Sequence, residues 1–508
     1  MSKVKFKIKK YFTGLAQEIS SNKLVYLLLL FILFLSAFLR LYKLDKLLGF
    51  WYDQGRDALV IWDLIHQRNF FLVGPVTGIE NVFRGPAYYY LIAPFYWLGK
   101  GSPAFVAGFL ACFSVLAIYL IFLLASEIYG KEVGLLSALI YGVSYEIVTF
   151  SRWLSNPNPA QFFVVLAMIC LYRAITGRER YLVFAGFLLG LCLHFETAVE
   201  VFYPMVLIFV VLWQNKKLLK CKLLLQTLLA FFATLIPQLV FNFRYHGILF
   251  KAFEKFLVSE KSFKVNLLSV VFGRVVLYYN ILFSRLLLSS ERLKFLSLCL
   301  ILISFIVNRQ QIFKLGGKFL LAFLIIPLLG LLFYQGNQGR IWDYYFFSLL
   351  PGFVILFSAG FYFLFKNQGI FTKSFLILLL VLVVNLHLRV LASYYKTGSG
   401  ITLQSQLKAI DWIYQDAGEN EFNVDFYVPP KIFYSYTYLF RWYGKSKYGR
   451  EPVETRIKLL YTLSEPDSWN PNFLSDWYKR QDGIGKVTKK YFWGDLSVER
   501  RERVLFYD

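Results

Sequence analysis

"LVYLLLLFILFLSAFLRLY", residues 24–42, contains Arg40 as its single charge and has about the 20-residue length at which an apolar helix crosses a bilayer. Runs of this kind recur through the first three quarters of the 508-residue chain, which is 57% hydrophobic, 20% aromatic and only 17% charged, a balance foreign to soluble domains. The expected class is an α-helical polytopic membrane protein. The first run is long and no small-residue cleavage pattern follows it, so it reads as a retained span and not a cleaved leader.

The net charge of +24 falls mostly in short loops, which makes it an orientation signal and not a footprint for nucleic acid. Lys3, Lys5, Lys7, Lys9 and Lys10 precede the first run; Arg173, Arg178 and Arg180, then Lys216, Lys217, Lys220 and Lys222, follow later ones. A cytoplasmic amino terminus follows. Cys112, Cys170, Cys192, Cys221 and Cys299 all lie in or beside apolar segments, so neither a disulfide framework nor a metal-binding CxxC is implied.

Eleven spans satisfy this charge pattern: roughly 23–41, 104–126, 133–150, 159–175, 181–199, 200–213, 223–241, 292–307, 319–335, 344–364 and 374–393. The carboxyl terminus then lies outside, in a multi-pass cell-membrane protein. Segment 242–293 is predicted to lie at the outer interface, because Arg274 is costly at mid-bilayer; read as a crossing, "NLLSVVFGRVVLYYNILF" would move the tail inside. The loop at 42–103 holds "ALVIWDLIHQRNFFLV" and "PAYYYLIAPFYWLG", each too short or too polar for a good crossing and expected along the membrane surface.

Residues 1–395 thus read as one transmembrane unit and 396–508 as a small extracytoplasmic α/β domain. In the latter, "ITLQSQLKAIDWIYQDAG" and "KIFYSYTYLFRWYG" have helical spacing, and "EFNVDFYVPP", "IKLLYTLS" and "VTKKYFWG" read as strands.

Chemistry concentrates at the predicted outer ends. "FWYDQGRDA", residues 50–58, packs Asp53, Arg56 and Asp57 beside three aromatics. Asp53 suits a helix N-cap and equally a carboxylate held rigidly at the water boundary. Arg56 can be a headgroup anchor and Asp57 its partner. Arg84 lies in "NVFRGPAYYY"; Arg152, Asn156 and Asn158 in "SRWLSNPNPAQ"; His194, Glu196 and Glu200 in "LHFETAVE"; Arg340, Asp343 and Tyr344 in "GRIWDYYF". Caps, turns and headgroup contacts would account for each of them singly. Their convergence from separate segments on one membrane face suggests instead a site where arginine meets phosphate and a carboxylate takes a proton from a hydroxyl.

The order of these motifs resembles the GT-C superfamily of membrane glycosyltransferases, in the branch of the dolichyl-phosphate-mannose protein mannosyltransferases and the bacterial aminoarabinose transferase. The resemblance covers roughly residues 20–395 and implies that Asp53 in "YDQGRDA" is the acid-base residue, while Arg56 and Arg84 bind the donor phosphate. Asp57, Arg152, Asn156, Asn158, His194, Glu196, Arg340 and Tyr344 would line the site. Two departures stand out: Gln54 replaces the usual glutamate, and Asn156 or Asn158 stands where the branch has an aspartate. No cofactor is expected; a divalent metal is compatible with such a site, but no ligand motif supports one. The implied activity is transfer of a sugar from a polyprenyl-phosphate donor to an acceptor hydroxyl of protein, lipid or glycan, with inversion. The alternatives are a lipid or glycan flippase and a non-catalytic assembly protein of the same fold.

Overall fold

A computed structural model describes residues 17–214, 218–258, 267–334, 339–398, 400–429 and 432–504; the five amino-terminal lysines, Lys216 and Lys217 lie outside the described residues. The chain is predominantly helical. In order come α1 (Lys23–Leu41), α2 (Tyr52–Gln67), α3 (Ala87–Leu98), α4 (Pro103–Tyr129), α5 (Lys131–Val143), α6 (Tyr145–Ser151), α7 (Ala160–Ile175), α8 (Tyr181–Cys192) and α9 (Tyr203–Gln214). After them follow α10 (Cys221–Arg244), α11 (Ile248–Val258), α12 (Leu267–Leu287), α13 (Glu291–Val307), α14 (Leu315–Leu332), α15 (Leu350–Asn367) and α16 (Ile370–Thr397).

Polar contacts sort the helix ends into two faces. At one, Lys131 pairs with Glu18 at 3.4 Å, Lys220 with Glu179 at 2.7 Å, the Tyr129 hydroxyl donates to Ile312 O at 2.9 Å, and Asn367 donates to Asn308 at 2.6 Å. At the other, Arg84 meets Glu196 at 2.9 Å, Gln238 donates to Phe83 O at 3.4 Å, and Arg152 donates to Tyr42 O at 2.8 Å. Helices α5 and α6 together are long and apolar enough for one span, bent by 66° at their junction. Seven of the described helices are individually long and apolar enough to cross a membrane, α12 among them.

Helix α12 nevertheless does not cross. Arg274, near its start, donates to Leu331 O, Tyr334 O and Gly339 O at 2.8–3.0 Å, and Arg285, near its end, pairs with Asp343 at 2.7 Å. All of these partners lie on the face that carries Arg84 and Glu196, so the helix lies along it. An arginine at each end favours that position, since the guanidinium groups stay at the polar boundary while the apolar stem packs on α14 through Tyr278.

Beyond α16 the tail forms α17 (Leu403–Ala417), β1 (Asn423–Tyr427), α18 (Tyr434–Leu439), β2 (Leu459–Ser464), α19 (Pro471–Ile484), β3 (Gly485–Trp493) and β4 (Leu496–Arg503). Thr402 and Ser405 cap α17 reciprocally, and Gly418, at φ 58°, ends it. The four strands run in the order β1-β2-β4-β3, with β1 and β2 parallel and the other pairs antiparallel.

This domain is not a separate body beside the membrane unit. Leu403 N–H donates to Leu48 O at 2.7 Å, Gln406 to Phe50 O at 3.0 Å, and Tyr438 to Gly101 O at 2.6 Å, over an apolar core that runs from Phe50, Ile61 and Tyr96 into Ile410 and Tyr436. The closest approach is at Gly55 of α2, where an added Cβ would stand 2.2 Å from the backbone nitrogen of Ser435. Gly55→Ala is therefore expected to prise α18 from α2 at a cost of about 1–3 kcal/mol. Thermal unfolding in detergent and limited proteolysis of 396–508 measure this; a variant that melts and cleaves like the wild type would refute the contact.

Candidate active site

Helix α2 begins with Trp51 at its N-cap, two residues earlier than a capping Asp53 requires. The free Trp51 N–H is taken by the Gln54 side chain at 2.9 Å, so Gln54 performs the back-reaching half of a cap. Asp53 then sits in the first turn, favoured by the helix dipole but not consumed by capping. Its side chain is 41% exposed, against 6% for Asp57.

Arg56 lies between these carboxylates. Its Nη1 meets Asp53 at 2.8 Å, while Nε and Nη2 meet Asp57 Oδ1 at 3.0 and 2.8 Å. Tyr89 of α3 donates to the same Asp57 oxygen at 3.0 Å, tying the two interfacial helices together. Burial pushes the Asp57 carboxyl up to about 6, even against the opposing pull of Arg56.

A second charged group adjoins the first. Arg84 is buried, with Nη2 on both Glu196 oxygens at 2.9 and 3.0 Å and Nη1 donating to Val76 O; its Nε has no hydrogen-bond partner. Glu196 also accepts the Thr197 and Ala198 N–H groups at 2.8 and 3.3 Å. Tyr344 is near enough to interact electrostatically with Glu196, Arg84 and Asp53, which joins the two groups.

The other expected residues hold backbone. His194 Nδ1 accepts the Ala87 N–H at 3.2 Å and its Nε2–H donates to Thr234 O at 2.9 Å, so hydrogen bonding fixes the tautomer. Gly85 admits this ring, since a Cβ there would fall 2.1 Å from His194 Nδ1. Arg152 donates to the carbonyls of Leu39, Arg40, Tyr42 and Lys43 at the end of α1. Asn156 donates to Phe195 O, and Asn158 to Ser151 O and Trp153 O at 2.9 Å each. Arg340 is exposed and lies over the Trp342 ring at 5.3 Å. Among the described residues no group of three His, Cys, Asp or Glu is placed to hold a metal.

Two residues not singled out from the sequence join this face. Arg285 pairs with Glu146, at the bend between α5 and α6, and with Asp343 at 2.7 Å. They border a cleft of about 360 Å³ walled by Trp51, Trp153, Tyr344, Tyr394 and Arg152. A signal for Glu146 existed, since an ionisable residue falls inside the predicted span 133–150.

Residues 84–241 match the family model of dolichyl-phosphate-mannose-protein mannosyltransferases. No curated protein matches the chain as a sequence. Among solved structures, ArnT from Cupriavidus metallidurans bound to undecaprenyl phosphate superposes with a TM-score of 0.58 at 11% identity, covering 95% of this chain and 98% of that one. The oligosaccharyltransferase AglB from Archaeoglobus fulgidus, in complex with an inhibitory peptide and a dolichol-phosphate, gives 0.53 at 15% identity over 94% and 74%. These likenesses show the fold, and that to ArnT takes in the tail domain as well as the spans.

The Asp57 assignment carries a pH signature. A carboxyl raised from 3.8 to about 6 in the folded state binds its proton more tightly there than when unfolded, so its favourable contribution is full below about pH 4 and lost by about pH 6. Linkage puts this at on the order of 3 kcal/mol. Asp57→Asn is expected to remove that dependence: the wild-type-minus-variant melting difference in detergent should change between pH 4 and 6 and stay flat above. A flat difference throughout would refute the raised carboxyl.

Proposed function

We propose that the protein transfers a sugar from a polyprenyl-phosphate donor to an acceptor hydroxyl at the extracytoplasmic membrane face, by a single displacement with inversion. The observation that carries this reading is the first turn of α2, where a half-exposed Asp53 and a largely buried Asp57 hold Arg56 between them at 2.8 Å each. The lipid phosphates in the ArnT and AglB structures support the same donor class.

In the reaction the bond from anomeric carbon to phosphate oxygen breaks and one from that carbon to the acceptor oxygen forms. The phosphate leaves with the bonding electrons; the acceptor proton passes to Asp53. A phosphomonoester has a second pKa of about 6, so the leaving group needs cationic stabilisation more than protonation. Arg56 supplies it. Asp57 keeps that guanidinium oriented when its contact with Asp53 is exchanged for phosphate. Arg84, closed by Glu196 and Val76 O, contributes field and alignment at this position and takes phosphate directly only if Glu196 gives way. Asp57 is enclosed by Arg56 and Tyr89, which leaves Asp53 as the accessible carboxylate of this turn and favours one displacement over two. The aromatic cleft beside Trp51 and Tyr344 suits the faces of a sugar ring.

Orientation rests on charge. Arg178, Arg180, Lys220, Lys222, Lys314, Lys318, Lys366 and Lys373 all belong to the face opposite Asp53, which the positive-inside rule assigns to the cytoplasm.

Asp53→Asn should lower transfer from radiolabelled polyprenyl-phosphate sugars by about 100-fold or more while expression and melting stay normal. Near-wild-type transfer by a well-folded variant would sink the base assignment, and label that crosses proteoliposomes without covalent transfer would point to a flippase.

A further inference from the structure

A second cleft, of about 410 Å³, lies at the opposite end of α2 from Asp53, where the tail domain seats on the interfacial helices. Ile61, Trp62 and Ile65 of α2 form one wall, Tyr96 and Trp97 of α3 another, and Tyr438 and Trp442 the third. Two exposed cations, Lys100 and Lys445, stand at its edge. The acid nearest in sequence on α2, Asp63, faces Arg441 at 3.8 Å; His66, also in the lining, stacks on Trp62 with ring centroids 3.9 Å apart.

Two features identify what the cleft takes. First, Lys100 lies in the turn that leads into α4, a span, so the cleft opens at headgroup depth, and Trp97, Leu98 and Phe105, at 67%, 57% and 49% exposure, continue its apolar lining onto the bilayer-facing surface. Second, Lys100 and Lys445 come from different parts of the chain and both line the cleft, where two positive charges complement one phosphodiester. A lone snorkelling lysine would explain one cation but not the second.

The geometry points to a binding site for an anionic phospholipid, its phosphate between Lys100 and Lys445 and its glycerol and upper acyl carbons against Trp62, Trp97 and Trp442. Such a lipid fastens the tail domain to the membrane at the seam where α18 meets α2 and α3. Trp442 Nε1–H already donates to Lys100 O at 2.7 Å, so the lysine that meets the phosphate is the residue that anchors the domain.

The test uses full-length protein in nanodiscs of phosphatidylcholine with a minor fraction of phosphatidylglycerol, followed by delipidation and native mass spectrometry of retained lipid. Wild type should retain phosphatidylglycerol over phosphatidylcholine, and the double variant Lys100→Gln/Lys445→Gln should lose that preference by tenfold or more, on the scale of two surface lysines facing an anionic lipid. Both lysines are exposed, so the variant is expected to fold; unchanged melting checks this. Equal retention of both lipids by wild type, or an unchanged preference in the variant, would overturn the site. Displacement of the retained lipid by equimolar polyprenyl phosphate would assign the cleft to a donor lipid and likewise overturn it.

Discussion

An α-helix that ends in apolar surroundings leaves its last carbonyls without partners, and in a membrane no water is at hand to satisfy them. Arg152 resolves this for the first span by taking the carbonyls of Leu39, Arg40, Tyr42 and Lys43. The same device recurs around it. Arg40 donates to Gly142 O at 2.8 Å, where α5 breaks, and His387 accepts the Tyr145 N–H at 3.1 Å while contacting Leu286 O at 2.8 Å. Four irregular chain segments are thereby tied to one another by side chains. The strand of chain that leaves α1 toward Trp51 is placed by these bonds, and with it the first turn of α2.

The site inherits that rigidity. Helix α2 is clamped on one side by Tyr89 against Asp57 and on another by the backbone of α18 against Gly55, so the turn carrying Asp53 and Arg56 has little freedom to rotate. Gln54 fits this frame as a neutral residue. Buried and bonded to Trp51 N–H, it completes the helix start where a glutamate would place another negative charge beside Asp53 and Asp57. Glutamine at this position therefore has a local structural reason, and Asp53 keeps the greatest exposure of the three.

Much of this was legible in the sequence, because the signals were local. The mostly helical fold, its several apolar spans and the α/β character of the tail follow from periodicity and composition. What escaped was set by distant partners. Arg152, His194 and Asn158 read as site residues because they are polar at a membrane face, yet their hydrogen bonds run to backbone that only the fold brings near. "LSVERRER" carries charge like an exposed segment, but it forms β4 between β2 and β3, where Glu499 and Arg501 are buried as a pair. Helix α19 packs Trp477 against Tyr427 while presenting mostly polar residues, so its apolar stripe was too narrow to announce a helix.

Helix α12 shows where hydropathy alone stops deciding. By length and composition it can cross, and a crossing there would reverse the side on which the tail domain lies. Its two arginines break the tie: a spanning helix would carry Arg274 and Arg285 at different depths, with a guanidinium in hydrocarbon, whereas here both reach the same polar layer. The direct pairing of Arg285 with Asp343 and Glu146 makes the flat helix a wall of the aromatic cleft. The constraint that lays the helix flat is thus also one that shapes the cleft, because a charge that is costly inside the bilayer is held at the polar layer where Glu146 and Asp343 meet it.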